Sequence, residues 1–95
     1  MTQFEIEWAG VVAGVRGIVL ARVVGARDFR VDVGTTLGGY RLCPTLEMPR
    51  ALDADGRQRE DLFAFELASP GDAHHFAVGQ VVSLAHAGGH RDPAP

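Results

Sequence analysis

Ninety-five residues, 46% of them hydrophobic and 22% charged, make one domain with a modest core and exclude a wholly disordered chain. A formal charge of −3 and an isoelectric point near 5.7 argue against a general binder of nucleic acid or membrane surfaces. All nine basic residues are arginines, which excludes lysine catalysis and a phosphate-binding loop of the Gly-Lys-Ser/Thr type, so neither GTP nor ATP is expected to bind.

Phe4-Glu5-Ile6-Glu7-Trp8 alternates strictly and predicts a half-buried strand with Phe4, Ile6 and Trp8 inward. After Gly10 and Gly14, Arg16 to Gly25 is a long β-branched run. Ile18, Leu20 and Val24 share one of its faces with Arg22, and Val19, Ala21 and Val23 share the other, the pattern of a central strand. Ile18 and Leu20 are expected in the core. Arg27-Asp28 turns the chain into a strand with Phe29, Val31 and Val33 on one face, stopped by Gly34. Leu37 to Tyr40 reads as a bend or short strand. Thr45 to Leu52 reads as a strand carrying Leu46 and Met48, with Pro49 marking an edge or a bulge. Asp53-Ala54-Asp55-Gly56 is a hairpin turn leading to Asp61–Leu67, where Phe63, Phe65 and Leu67 fall on one face. Pro70 to His75 reads as a loop, and residues 70–77 have room for one turn of helix and no more. Val78 to His86 is a last strand with Val82 and Leu84 inward. About six short strands with no helical period imply an all-β barrel or sandwich over residues 1–86. Ala87 to Pro95 is expected to be a frayed tail. An open barrel leaves an unguarded edge, which this reading puts at Val81 and Ser83 and which would allow a homodimer.

Candidate chemistry is sparse. His74, His75, His86 and His90 are of metal-ligating type, but adjacent histidines in an extended chain point apart and no His-x-His pair occurs. The lone Cys43, between Leu42 and Pro44, reads as a small hydrophobe. Glu47, Glu60, Asp61 and Glu66 read as a solvated face. Arg50, Arg57 and Arg59 cluster around the Asp55-Gly56 turn among acidic neighbours and form the first surface to consider for partner binding. No apolar run approaches the roughly 20 residues of a membrane span, and the first residues lack the features of a signal peptide, so a cytoplasmic location is expected. The absence of lysine and asparagine beside abundant Ala, Gly, Val and Arg fits a GC-rich bacterial coding sequence.

The order of strands and punctuation carries a resemblance. Arg16-Gly17-Ile18-Val19-Leu20-Ala21-Arg22-Val23 followed by Val33-Gly34-Thr35-Thr36-Leu37 is similar to the opening of the second domain of the translational GTPases. Leu46-Glu47-Met48-Pro49-Arg50 and Asp55-Gly56-Arg57 resemble segments of that domain in elongation factor Tu, and Gly79-Gln80-Val81-Val82 resembles its closing strand. The resemblance implies a Greek-key barrel. In the family this domain cradles the 3′ end of aminoacyl-tRNA, and Glu47 falls where a glutamate lies beside the terminal adenine. Ala21 stands in place of the family's Thr-Gly pair, and these residues contain no GTPase domain, so the resemblance implies a borrowed scaffold. The expectation is a non-enzymatic binding module with no catalytic residues, no metal and no cofactor. It would dock another protein through Arg50, Arg57 and Arg59. The alternative is a nucleic-acid 3′ end or an acylated small molecule held near Arg22 and Glu47; no membrane or guanine-nucleotide partner is expected.

Overall fold

The computed structural model describes residues 2–25 and 28–86. Six strands, β1 (Gln3–Val12), β2 (Arg16–Val24), β3 (Thr36–Leu37), β4 (Tyr40–Glu47), β5 (Leu62–Leu67) and β6 (Val81–Ala85), close into a barrel in the order β1-β2-β5-β4-β3-β6. Every neighbouring pair is antiparallel. β3, β4 and β5 form a meander and β2 lies beside β5, which is the expected Greek-key arrangement. The expected tail, 87–95, lies outside the described residues, as does Arg27 of the expected turn.

β5 is the strand on which the core is built. It sits between β2 and β4, and Phe63, Phe65 and Leu67 point inward as their spacing predicts. Directly opposite on β2 stand Ala21, Val19 and Gly17. Opposed residues of an antiparallel pair share a face, so β2 turns Val19, Ala21 and Val23 inward and leaves Ile18 and Leu20 half-buried on the outer wall. The prediction for Ile18 and Leu20 is thereby corrected. The interior of a six-stranded barrel is narrow, and rings from β1 and β5 already fill it, so β2 can offer only small residues.

β1 departs from its sequence pattern in a similar way. Phe4 lies opposite Val23 and Ile6 opposite Ala21, all inward, but the next pair is Trp8 with Leu20. Glu7 is thus an extra residue, a β-bulge that carries Trp8 to the outer wall, where it is 43% exposed. Its indole lies over Gly10: a Cβ built there would sit 2.8 Å from the ring. The expected burial of Trp8 is therefore also corrected.

The expected strand at Phe29–Val33 is irregular chain. Thr35 N–H donates to the Asp32 carbonyl and closes a turn that leaves Val33 84% exposed. Phe29 and Val31 still pack on the core half-buried. Phe29 stands edge-on to Phe4 at 5.0 Å and to Phe63 at 4.9 Å, and Phe4 stands edge-on to Phe65 at 5.0 Å. A cluster of four phenylalanines therefore fills one end of the barrel. At the other end a short 3₁₀ helix, Pro70–His75, passes across Gly17 and buries Ala73.

Gly38 and Gly39, at φ 61° and 91°, make the two-residue turn between β3 and β4. β4 stops at Glu47, so Pro49 is not in a strand, and Met48 and Leu52 are exposed. β6 is shorter than expected but keeps Val82 and Leu84 inward. It is flanked by β1 on one side and β3 on the other, so the edge at Val81 and Ser83 is closed and does not offer the free rim that the sequence suggested.

Candidate functional site

The connection between β4 and β5 runs from Met48 to Asp61 and folds back on itself as a small arm. Leu52 bridges to Gln58, Asp53 N–H donates to the Arg57 carbonyl at 2.8 Å, and Arg59 N–H donates to the Ala51 carbonyl at 2.7 Å. The turn at its tip is the Asp53–Gly56 turn read from the sequence. Gly56 has φ 81° and donates its N–H to the Asp53 carbonyl, while Asp53 Oδ1 accepts the N–H groups of Asp55 and Arg57.

Arg59 ties this arm to the barrel. Its Nη1 and Nη2 donate to Oε1 and Oε2 of Glu7 at 2.9 and 2.8 Å, and its Nε donates to Asp61 Oδ1 at 3.0 Å. This is the two-pronged guanidinium–carboxylate fork. The bulge at Glu7 aims that carboxylate at the arm. The hydrogen bond from Arg59 holds Glu7 below its ordinary carboxylate range, and the same donor lowers Asp61. The two acids in turn keep the Arg59 guanidinium protonated, with Glu7 the larger cause.

Arg22 stands on the outer wall of β2, opposite Glu5 of β1, and its Nη2 donates to that carboxylate. Its charge also helps to lower Glu7 and Asp61, so Arg22 and Arg59 belong to one electrostatic group with Glu5, Glu7 and Asp61. Arg50 and Arg57 are different: among the described residues neither side chain donates a hydrogen bond or forms an ion pair. Arg57 lines an open groove of about 600 Å³ with Asp53, Arg59 and Asp61. Arg50 lines a second groove, of about 710 Å³, floored by Met48 and Phe63. Gln58 and Glu60 line both grooves. Gln58 is braced by bonds from its Nε2 to the carbonyls of Pro49 and Arg59.

The structure therefore brings Arg50, Arg57 and Arg59 together on one arm, with Arg22 adjoining through shared acids. Glu47 is not among them. It closes β4 opposite Ala64, and its charge acts on Arg16, which pairs with Glu66 at 3.1 Å. The sequence reading missed Glu7 and Glu5 as anion partners. Their outward facing was legible, but their partners lie 52 and 17 positions away.

Elsewhere the candidate ligands are dispersed. The His75 ring stacks on Tyr40 at 4.8 Å and 6°, and His86 Nδ1 shares a hydrogen bond with the buried Thr35 hydroxyl at 3.2 Å. Cys43, half-buried, points its thiol at the Leu67 carbonyl at 3.7 Å. Among the described residues no group of three or more His, Cys, Asp or Glu side chains converges, and no helix is long and apolar enough to cross a membrane. His90 lies outside the described residues.

Comparison with known proteins finds no matching family model, no matching curated protein and no matching solved structure.

Proposed function

We propose that this chain is a binding module and not an enzyme, a barrel resembling the second domain of the translational GTPases that docks an acidic segment of a protein partner on its β4–β5 arm. One observation carries the reading. Arg59 is consumed in holding the arm to β1, and that anchoring presents Arg50 on the groove floored by Met48 and Phe63 and Arg57 on the adjoining groove, both without a side-chain partner among the described residues. An extended segment with carboxylates and one apolar side chain fits that chemistry. Glu7 and Asp61, held low by Arg59, are poor candidates for a general acid or base working near neutrality, which needs a raised carboxylate. A cytoplasmic location belongs to the same proposal.

The alternative, a nucleic-acid 3′ end or acylated small molecule held by Arg22 and Glu47, has less support. Arg22 is tied to Glu5, and the charge of Glu47 acts on Arg16, the partner of Glu66.

The test is affinity capture from the native host with three immobilised proteins: wild type, the Arg50→Glu/Arg57→Glu double variant, and Glu47→Ala. A protein retained by wild type and Glu47→Ala, but lost by the double variant, is the expected result. Loss on Glu47→Ala alone, or fluorescence-anisotropy binding of single-stranded RNA that survives the double substitution, would replace this proposal with the alternative.

A further inference from the structure

β1 outruns its neighbour on one side. β6 pairs with it only at Gln3, Phe4 and Glu5, and Gly79 and Gln80 extend that contact to Ile6 through two backbone hydrogen bonds of 2.8 Å. From Trp8 to Val12, among the described residues, β1 is paired with β2 alone. The 3₁₀ helix packs against β1 and β2 near Gly17 and makes no backbone hydrogen bond to Trp8–Val12. Past Val12 the ribbon turns through Ala13 and Gly14, at φ 56° and 74°.

The composition of this edge is unusual for one left open. Trp8-Ala9-Gly10-Val11-Val12-Ala13-Gly14-Val15 contains no charge and no proline. Trp8, Val11, Val12 and Val15 are all exposed, Val15 by 68%. Open edges are ordinarily guarded by charges, prolines or brevity, because unpaired amides invite another strand. The neighbouring outer wall does carry charge: Glu5 with Arg22, Glu7 and Asp61 with Arg59, and Glu66 with Arg16. On this ribbon the charge stops at Glu7 and resumes at Arg16.

We propose that the Trp8–Val12 edge pairs antiparallel with the same edge of a second copy of the chain, about a twofold axis at Gly10. An antiparallel ladder is self-complementary, since each exposed N–H donates to an exposed C=O of the other strand and the twofold axis repeats the bond in reverse. Gly10 has no side chain to hold the strands apart at the axis. Trp8 then lies opposite Val12 of the second copy and Ala9 opposite its Val11, so apolar groups meet apolar groups, and an aromatic beside a β-branched residue is a favourable cross-strand pair. Charge selects this edge over the remaining surface. Each copy carries −3, and here two copies approach with no like charges opposed. The proposed pairing involves neither Arg50 nor Arg57.

The test is sedimentation velocity over a range of concentrations, with folding checked by circular dichroism. The wild type is expected to dimerise. Val12→Glu sets a carboxylate beside each indole, and because it acts twice it should raise the dissociation constant by about 100-fold or more. Val33→Glu, which adds the same charge at the exposed Asp32–Thr35 turn, should leave it unchanged. Amide exchange of the wild type gives a second measurement, independent of whether a variant folds: amides in Trp8–Val12 should become protected as concentration rises. A wild type that stays monomeric at its solubility limit overturns the proposal. So does a dimer that survives folded Val12→Glu, a dimer weakened equally by Val33→Glu, or a dimer without concentration-dependent protection of that edge.

Discussion

Three Gly→Ala substitutions make the same chemical change in three environments that the structure distinguishes. At Gly17 the new methyl would lie 2.7 Å from both the Cα and the carbonyl oxygen of Pro70, which are backbone atoms that no rotamer change can withdraw. At Gly10 it would lie 2.8 Å from the outer edge of the Trp8 ring, a side chain 43% exposed and able to swing into water. At Gly71 nothing lies within 4 Å. Each substitution gains about 0.4–1 kcal/mol by restricting the unfolded chain. Gly71→Ala should keep that gain, and Gly10→Ala should come out near zero. Gly17→Ala forces apart β2 and the short helix that seals the barrel end, so about 1–3 kcal/mol of overpacking outweighs the gain. For a domain of this size a loss of 1 kcal/mol is about 4–8 °C in Tm. Urea unfolding with a common slope for all variants measures the differences. If Gly17→Ala unfolds at the same midpoint as Gly10→Ala, the helix does not press on β2 as described.

Two further outcomes follow from the packing and the ion pairs. Phe65 is fully buried, so Phe65→Ala should cost about 3–5 kcal/mol, a large part of a small domain's stability, and an unchanged melting temperature would show that this face does not line the core. Arg59→Ala should cost about 1 kcal/mol at neutral pH, a figure kept small because Glu7 and Asp61 remain partly exposed. Both acids are lowered from ordinary values of 4.5 and 3.8, so the stability they contribute is present above those values and lost as pH falls through their depressed folded-state values. The difference between wild type and Arg59→Ala, followed by denaturant titration, should therefore shrink as the solution is acidified below pH 4; a constant difference would mean that Arg59 stabilises by packing alone.

What the sequence discloses depends on whether the relevant contact is local. β5 was legible because its alternation is bracketed by turns and its flanking strands follow its pattern, not the reverse. The Asp53–Gly56 turn was legible because its side-chain and backbone bonds span only a few residues. Arg50, Arg57 and Arg59 fall on one arm for the same reason, their closeness along the chain. The inward face of β2 was not legible, since both of its faces are apolar and the choice is made by the phenylalanines opposite. Phe29–Val33 and Met48–Leu52 alternate like strands, but neither has a neighbouring strand to complete a ladder. The Glu7–Arg59 fork depends on barrel closure across 52 positions, and no local pattern encodes it.

The bulge at Glu7 links that fork to the outward placement of Trp8, because one extra residue both turns Trp8 outward and supplies the anchor of the arm. Deleting Glu7 separates the two effects. The pairs on either side of it are Ile6 with Ala21 and Trp8 with Leu20, so removal closes the gap without moving the ladder, and Trp8 stays outside. Arg59 loses both prongs of its fork and keeps only Asp61. Tryptophan emission and acrylamide quenching should then match the wild type, because Trp8 is the only tryptophan and its setting is unchanged. The arm should loosen, with faster amide exchange at Asp53, Gly56 and Arg59, and stability should fall by about 1–2 kcal/mol. Glu7→Ala, which keeps the bulge, should lose the same arm protection. A red shift on deletion with no shift for Glu7→Ala would mean that Trp8 begins inside the barrel and the strict alternation of Phe4, Ile6 and Trp8 holds after all. An arm whose amides are equally protected in both variants would mean that Arg59 does not secure it, and would remove the basis for placing Arg50 and Arg57 at a fixed docking surface.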